Sequence, residues 1–130
     1  MGLDIDGLRV ATIHAPANYR VLLDDVLPRL HWQQVDDVAS LAASSQEVVH
    51  LFAADRSALQ AALPLALSAL VSGGALWISW PKKSSAAFRD LTDNEVRALV
   101  LPTGWVDVKV VAIDETWSGL KFLRRRKTGA

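Results

Sequence analysis

Blocks of apolar residues alternate with polar turns along the chain, and their spacing predicts alternating strands and helices. Almost continuous apolar runs indicate three buried strands, at Leu8–Ile13, Glu47–Ala53 and Ala75–Trp80. A weaker run at His31–Val35 predicts a further short strand. Apolar residues that recur every three or four positions predict helices over Tyr19–Leu30 and Arg56–Leu70.

The second helix and the strand after it form a recognisable unit. Pro64 lies inside the helical pattern and is expected to kink the helix, because proline lacks a backbone N–H and crowds the preceding turn. Gly73-Gly74 is expected to end the unit as a turn. Strand, helix, glycine turn and strand predict a βαβ unit, so Val48–Phe52 and Leu76–Trp80 are expected to pair in parallel.

The last third of the chain predicts a short helix and an antiparallel hairpin. Thr92 and Glu95 match a capping box, which predicts a helix to about Leu99. Trp105–Ile113 alternates apolar and polar residues, and Leu120–Arg125 returns as a strand after a turn. We therefore predict an α/β fold with a mostly parallel twisted sheet and an antiparallel C-terminal hairpin. A single domain is expected over 1–130, with flexible ends at 1–7 and 126–130.

Composition narrows the class of protein. The chain is 51% hydrophobic and 22% charged, which is typical of a globular protein, and it has no cysteine, so disulfides and thiolate metal sites are excluded. The net charge is zero, but residues 1–65 carry an acidic excess and residues 66–130 a basic excess. This asymmetry leaves a homodimer open, whereas the overall balance argues against a dedicated nucleic-acid binder.

No segment predicts secretion or membrane insertion. The N-terminus is acidic and lacks the apolar core of a signal peptide, and Leu59–Val71 is too short to span a bilayer. We therefore expect a cytoplasmic location and no membrane partner.

The carboxyl ends of the predicted parallel strands are expected to share one edge, where open α/β sheets bind ligands. That edge would bring together His14, Asp55, Arg56, Lys82, Lys83, Ser84, Ser85, Asp114, Glu115 and Trp117. Lysine ammonium and serine hydroxyl groups can hold a phosphate or carboxylate, and a histidine can act as a general base near neutral pH. In a competing interpretation, Lys82 and Lys83 only pair with Asp114 and Glu115 and fasten the hairpin to the central strand.

Other candidate residues favour structural roles. His50 lies inside an apolar strand, as a core histidine does, and Trp117 is expected to fold back onto the protein rather than to stand exposed. The histidines form no metal-binding pattern, and no phosphate-binding loop, nucleophile elbow or zinc spacing occurs. No catalytic, cofactor-binding or metal-ligating residue is therefore assigned.

Several segments resemble a family of small bacterial proteins of unknown function. They are VVHLF at 48–52, LWISWPKKS at 76–84, DLT at 90–92 and GWVDVKVVAIDETWSGLKF at 104–122. The resemblance covers about Val48–Arg125 closely and Leu8–Leu30 more weakly. It implies membership of that family and carries no activity.

The second half is also loosely similar to the C-terminal half of class I methyltransferases, which bind S-adenosylmethionine. In both, a strand, a helix, a glycine-containing turn and a strand precede a helix and a final antiparallel hairpin. This resemblance implies a truncated, Rossmann-like methyltransferase architecture. The chain departs from it at His14–Asn18, where the glycines of the cofactor loop are missing, and only Asp36 and Asp37 could stand for the acidic ribose-binding residue. No cofactor is therefore predicted.

These observations favour a non-enzymatic cytoplasmic module that acts through binding or assembly. One alternative is a protein or enzyme that binds a nucleotide or a phosphate-bearing metabolite in a crevice at His14, Lys82 and Lys83. The other is a nucleic-acid accessory protein that uses the basic second half, including Arg124–Lys127.

Overall fold

The computed structural model describes residues 9–14, 31–35, 41–86, 88–112 and 116–124. Six strands lie in these ranges: β1 Arg9–Ile13, β2 His31–Val35, β3 Gln46–Phe52, β4 Leu70–Pro81, β5 Trp105–Ala112 and β6 Trp117–Arg124. Two α-helices accompany them, α1 Arg56–Ala69 and α2 Asp93–Val100, and a short 3₁₀ turn, Leu101–Thr103, follows α2. The helix predicted over Tyr19–Leu30 lies outside the described residues, as do the chain ends.

The strands form one sheet in the order β2-β1-β3-β4-β6-β5. β2, β1, β3 and β4 pair in parallel, whereas β6 runs antiparallel to both β4 and β5. The predicted βαβ unit is confirmed, since Val48 pairs with Ala75 and Phe52 with Ser79. The short strand predicted at His31–Val35 is confirmed as well, as a parallel neighbour of β1.

The core fills the space between one face of the sheet and the two helices. Alternate residues of β3, β4 and β6 point to this face and are buried, among them Leu51, Ile78 and Phe122. α1 supplies Leu59, Leu63 and Ala66, and α2 supplies Val96 and Val100. α1 runs unbroken from Arg56 to Ala69 with Pro64 inside it. The proline lies on the exposed side of the helix.

β4 begins earlier than the sequence indicates. It starts at Leu70, directly after α1, whereas the pattern predicts a glycine turn and a strand from Ala75. Gln46 pairs with Leu70 and Val48 with Ala75, so β4 carries extra residues here and bulges. Gly73 has φ +82°, and a Cβ on Gly74 would lie 2.9 Å from the carbonyl oxygen of Glu47. The glycines therefore serve a bulge within the sheet and not a turn outside it.

Local signals place α2 as predicted. The Thr92 hydroxyl accepts a hydrogen bond from the backbone N–H of Glu95 at 3.3 Å, which caps the helix. Near the other end, Arg97 Nε donates to Asp107 Oδ2 at 3.0 Å and ties α2 to β5. Charge-assisted hydrogen bonds of this kind raise the pKa of the Arg97 guanidinium.

The hairpin is antiparallel as predicted, but its outer strand is irregular. The pairing of β5 with β6 shifts between Asp107 and Lys109, so the alternation in the sequence does not continue on one face. Val108 and Val110 are 51% and 65% exposed on this edge strand, although their spacing predicts burial.

The opposite face of the sheet carries a buried polar pair. His50 Nε2 on β3 lies 2.6 Å from Ser79 Oγ on β4, and the imidazole stacks on Phe52 with ring centroids 4.2 Å apart. Burial lowers the pKa of His50 to about 3. The interpretation of His50 as a hydrogen-bonded core histidine is confirmed.

We expect Gly74→Ala to destabilise the protein by about 1–3 kcal/mol, because its Cβ meets two backbone oxygens that belong to the bulge. Urea denaturation measures the change. Gly73→Asn is the control, since nothing lies within 4 Å of the new Cβ and asparagine tolerates a positive φ. An equal loss of stability in both variants would contradict the steric argument.

Because burial lowers the pKa of His50, we expect the protein to lose stability in mild acid. As the pH falls below about 6.5, the unfolded chain takes up a proton on this histidine that the folded protein rejects until about pH 3. The stability that depends on neutral His50 is therefore complete above pH 6.5 and declines between pH 6.5 and 3. Between pH 7.5 and 5 we expect a decrease of roughly 2 kcal/mol in the free energy of unfolding, measured by urea denaturation.

Two variants separate this effect from other titrations. His50→Gln cannot take up a proton, so its stability should change less than that of the wild type over the same pH range. His50→Phe also lacks a titratable group at this position and should show the same smaller change. Identical slopes for His50→Gln and the wild type would show that another group controls the acid sensitivity.

Candidate functional site

The sheet has its topological switch point between the carboxyl ends of β1 and β3, and we call the region at these strand ends the crevice. The pairing of these strands ends at Ile13 and Leu51. Beyond it, the backbone N–H of His14 donates outward to Val35 of β2 at 3.5 Å, and that of Ala53 donates to Ser79 of β4 at 2.9 Å. The strand order also reverses here, since the chain goes from β1 to β2 on one side and from β3 to β4 on the other. Ligands of open α/β sheets bind at this kind of switch point.

His14 forms the β1 side of the crevice. Its side chain is exposed and its backbone has φ +59°, in the left-handed region. Few residues other than glycine adopt this conformation, although histidine does so more often than most. Residues 15–18, which complete the predicted cofactor loop, lie outside the described residues, and so do Asp36 and Asp37.

The β3 side consists of a small residue and two aspartates. Ala54 is exposed directly after the strand end. Asp55 is half-buried and caps α1, since its Oδ1 accepts from the backbone N–H of Ala58 at 2.9 Å. Asp90 Oδ1 accepts from the backbone N–H of Arg56 at 2.9 Å. Carboxylates of the protein therefore already occupy these helix N-terminal donors, and they make this side of the crevice acidic.

The Arg56 side chain does not cancel that acidity. Its Nε lies 3.5 Å from Oε2 of Glu95 on α2, so an acidic group of the neighbouring helix balances its charge. The sequence pattern places Arg56 at the start of the helix after β3, but it gives no indication that Asp90 binds there. The two residues are 34 positions apart along the chain, and no local pattern indicates that they meet.

A basic turn, Lys82–Ser85, lies past the end of β4. The backbone N–H of Lys82 donates to Thr116 at 2.7 Å, and that of Ser85 closes the turn on the Lys82 carbonyl at 2.9 Å. Lys83 and Ser84 are exposed. Because neighbouring strands lie about 4.8 Å apart, this turn is one strand spacing from the end of β3 and two from that of β1.

The competing interpretation of the lysines is not tested by these contacts. Asp114 and Glu115, their expected partners, lie outside the described residues. Among the residues that the structure describes, the ion pairs involve Arg9, Arg56 and Arg97, and neither Lys82 nor Lys83 takes part in one.

Trp117 forms an aromatic wall beside the basic turn. It is the first residue of β6 and pairs with Pro81, the last residue of β4. Its ring packs edge-to-face on Phe52 with centroids 5.1 Å apart and is half-buried. The prediction that Trp117 folds back is confirmed, but it lies in a strand and not in the turn where the sequence placed it.

The described residues also bear on a metal site and on a membrane-spanning helix. No group of three His, Cys, Asp or Glu side chains is placed to hold a metal ion within these ranges. Neither of the described helices is long and apolar enough to cross a membrane.

Comparison by structure connects the whole arrangement to a known fold. A SAM-dependent methyltransferase from Aquifex aeolicus superposes with a TM-score of 0.64 at 10% identity, over 91% of this chain and 82% of that one. The N-methyltransferase NodS from Bradyrhizobium japonicum gives 0.65 at 11% identity, over 93% and 88%. A SAM-dependent methyltransferase from Geobacter sulfurreducens, solved with S-adenosyl-L-homocysteine, gives 0.64 at 12% identity, over 94% and 86%.

Comparison by sequence gives no relative: no family model and no curated protein matches the chain. The resemblance to the small bacterial family is therefore not supported by a family match. At these identities the structural likeness concerns the fold. It confirms the predicted Rossmann-like, methyltransferase-like architecture with an antiparallel hairpin.

The prediction of a non-enzymatic module is wrong. It was based on the missing glycine loop, whereas many of the solved structures that match nearly the whole chain are those of SAM-dependent methyltransferases. The protein has the fold of a SAM-dependent methyltransferase, with a crevice at the switch point of its sheet.

Proposed function

We propose that the protein is an S-adenosylmethionine-dependent methyltransferase that binds its cofactor in the crevice between β1 and β3. The observation that carries the proposal is the reversal of strand order between β1 and β3, since open α/β sheets bind ligands at the carboxyl ends of the strands where the order reverses. One of the similar solved structures holds S-adenosyl-L-homocysteine, the product of such a reaction. We propose that this chain binds the same class of ligand.

The described residues fit such a cofactor in charge. S-adenosylmethionine carries a positive sulfonium, an ammonium group and ribose hydroxyls, and carboxylates attract or accept from all of these. Asp55 supplies a partly exposed carboxylate whose position is fixed by its capping bond through Oδ1.

The residues of this chain have distinct roles in the proposal. When bound, the cofactor supplies an activated methyl group to a nucleophilic acceptor. Asp55 binds and orients the positively charged portion of the cofactor. His14 stands exposed at the mouth of the crevice, and histidine is well suited to take a proton from an acceptor near neutral pH.

Membership of the small bacterial family stays a prediction from the segments at 76–84 and 104–122. The proposed activity does not depend on it, since the family resemblance assigns no reaction.

Calorimetric titration with S-adenosylhomocysteine and S-adenosylmethionine tests the proposal. We expect saturable binding of both, and an affinity about 3–10-fold lower in Asp55→Asn, because one charge-assisted contact is lost. Asparagine caps a helix as well as aspartate does, so this variant removes the charge and keeps α1 in place.

Asp107→Asn is the matched control for this titration, since it makes the same chemical change on β5, at the opposite edge of the sheet from β2. It should bind both compounds as the wild type does. Absence of binding of either compound to the wild type at millimolar concentration would disprove the proposed function.

A further inference from the structure

The carboxyl edge of the sheet is divided by charge. Asp55 follows β3 and Asp90 reaches the same end of α1, whereas Lys82 and Lys83 follow β4, one strand farther from β1. Strands lie about 4.8 Å apart, so a ligand in the crevice and a second molecule at the basic turn would be neighbours. The acidic side suits a cationic cofactor, and the basic side suits an anion.

The basic turn is a fixed element of the fold. The N–H of Lys82 extends the β4–β6 pairing by one further bond to Thr116, and the bond from Ser85 to the Lys82 carbonyl closes the turn. This arrangement leaves the side chains of Lys83 and Ser84 exposed on the outside of the turn. An exposed ammonium group and an exposed hydroxyl therefore lie on adjacent residues, beside the half-buried Lys82, and such donors bind phosphate or carboxylate.

Trp117 adds a flat apolar surface to the same place. It pairs with Pro81, the residue before Lys82, and its edge-to-face contact with Phe52 fixes the ring. Trp117 is half-buried, so part of the residue is accessible next to the strand end from which the basic turn begins. A fixed tryptophan next to cations suits a molecule that combines a planar ring with a negative charge.

We infer that the methyl acceptor is a ring-bearing organic anion, with its carboxylate or phosphate at Lys82–Ser85 and its ring against Trp117. This inference rests on the proposed function, because it assigns the second substrate of that crevice. Lys82 and Lys83 bind and orient the acceptor.

The test measures binding of two anionic probes, benzoate and adenosine 5′-monophosphate, each against a neutral counterpart, benzyl alcohol and adenosine. Titrations are run with and without S-adenosylhomocysteine. We expect one anionic probe to bind at least about tenfold more tightly than its neutral counterpart, and to weaken as salt is added. Whether benzoate or the nucleotide is preferred distinguishes a carboxylate acceptor from a phosphate one.

The lysine variants use a matched control. Lys82→Gln/Lys83→Gln should abolish the preference for the anion, whereas Lys109→Gln/Lys121→Gln should retain it. The control removes the same charge from Lys109 and Lys121, which pair with each other on β5 and β6 away from the carboxyl edge of the sheet. The inference would be overturned if both double variants lost the preference for the anionic probe equally, or if the wild type showed no such preference.

The tryptophan variants test the ring. Trp117→Phe keeps an aromatic surface and should bind the anionic probe within about threefold of the wild type, while Trp117→Leu should bind it about tenfold more weakly. Thermal unfolding verifies that each variant is folded, and full affinity in a folded Trp117→Leu would overturn the role of the ring. Binding of S-adenosylhomocysteine without anion preference defeats this inference alone. Anion binding without any binding of S-adenosylhomocysteine defeats the proposed function.

Discussion

The reversal of strand order between β1 and β3 is the constraint on which the candidate site depends. The chain order goes from β1 to β2 on one side of this point and from β3 to β4 on the other. In open α/β sheets, such a reversal carries the chain away from the carboxyl ends of the two central strands on opposite sides, and ligands bind there. A sheet whose strand order ran in one direction throughout would lack this switch point.

The acidic side of the crevice is positioned by the first turn of α1. This helix begins shortly after β3, and two carboxylates, those of Asp55 and Asp90, satisfy N–H groups at its first turn. The same capping bond that stabilises the helix by about 1 kcal/mol also fixes where the Asp55 carboxylate stands. On the other side, Lys83 is exposed, and a surface ion pair contributes only about 0–1 kcal/mol, so the fold does not depend on what this lysine binds.

Most of the strands could be predicted from the sequence because local patterns determine them. Continuous apolar runs identified β1, β3 and the second part of β4, and the capping box at Thr92 identified α2. The first part of β4 was missed, since Gly73 and Gly74 have the composition of a turn, whereas the structure explains Gly73 by its positive φ and Gly74 by the approach of Glu47. The shift between β5 and β6 was missed for a related reason. A bulge depends on the partner strand, which no local pattern specifies.

The prediction of a non-enzymatic module was also based on a local sequence pattern. The glycines of a cofactor loop matter because they permit a left-handed backbone and a close approach, and their absence was taken as the absence of the site. His14 adopts the left-handed conformation without being glycine, at a strain that the surrounding strand pairing sustains. Sequence patterns report the residue type and not the backbone conformation, so a histidine at this position gives no indication of the positive φ that the structure shows.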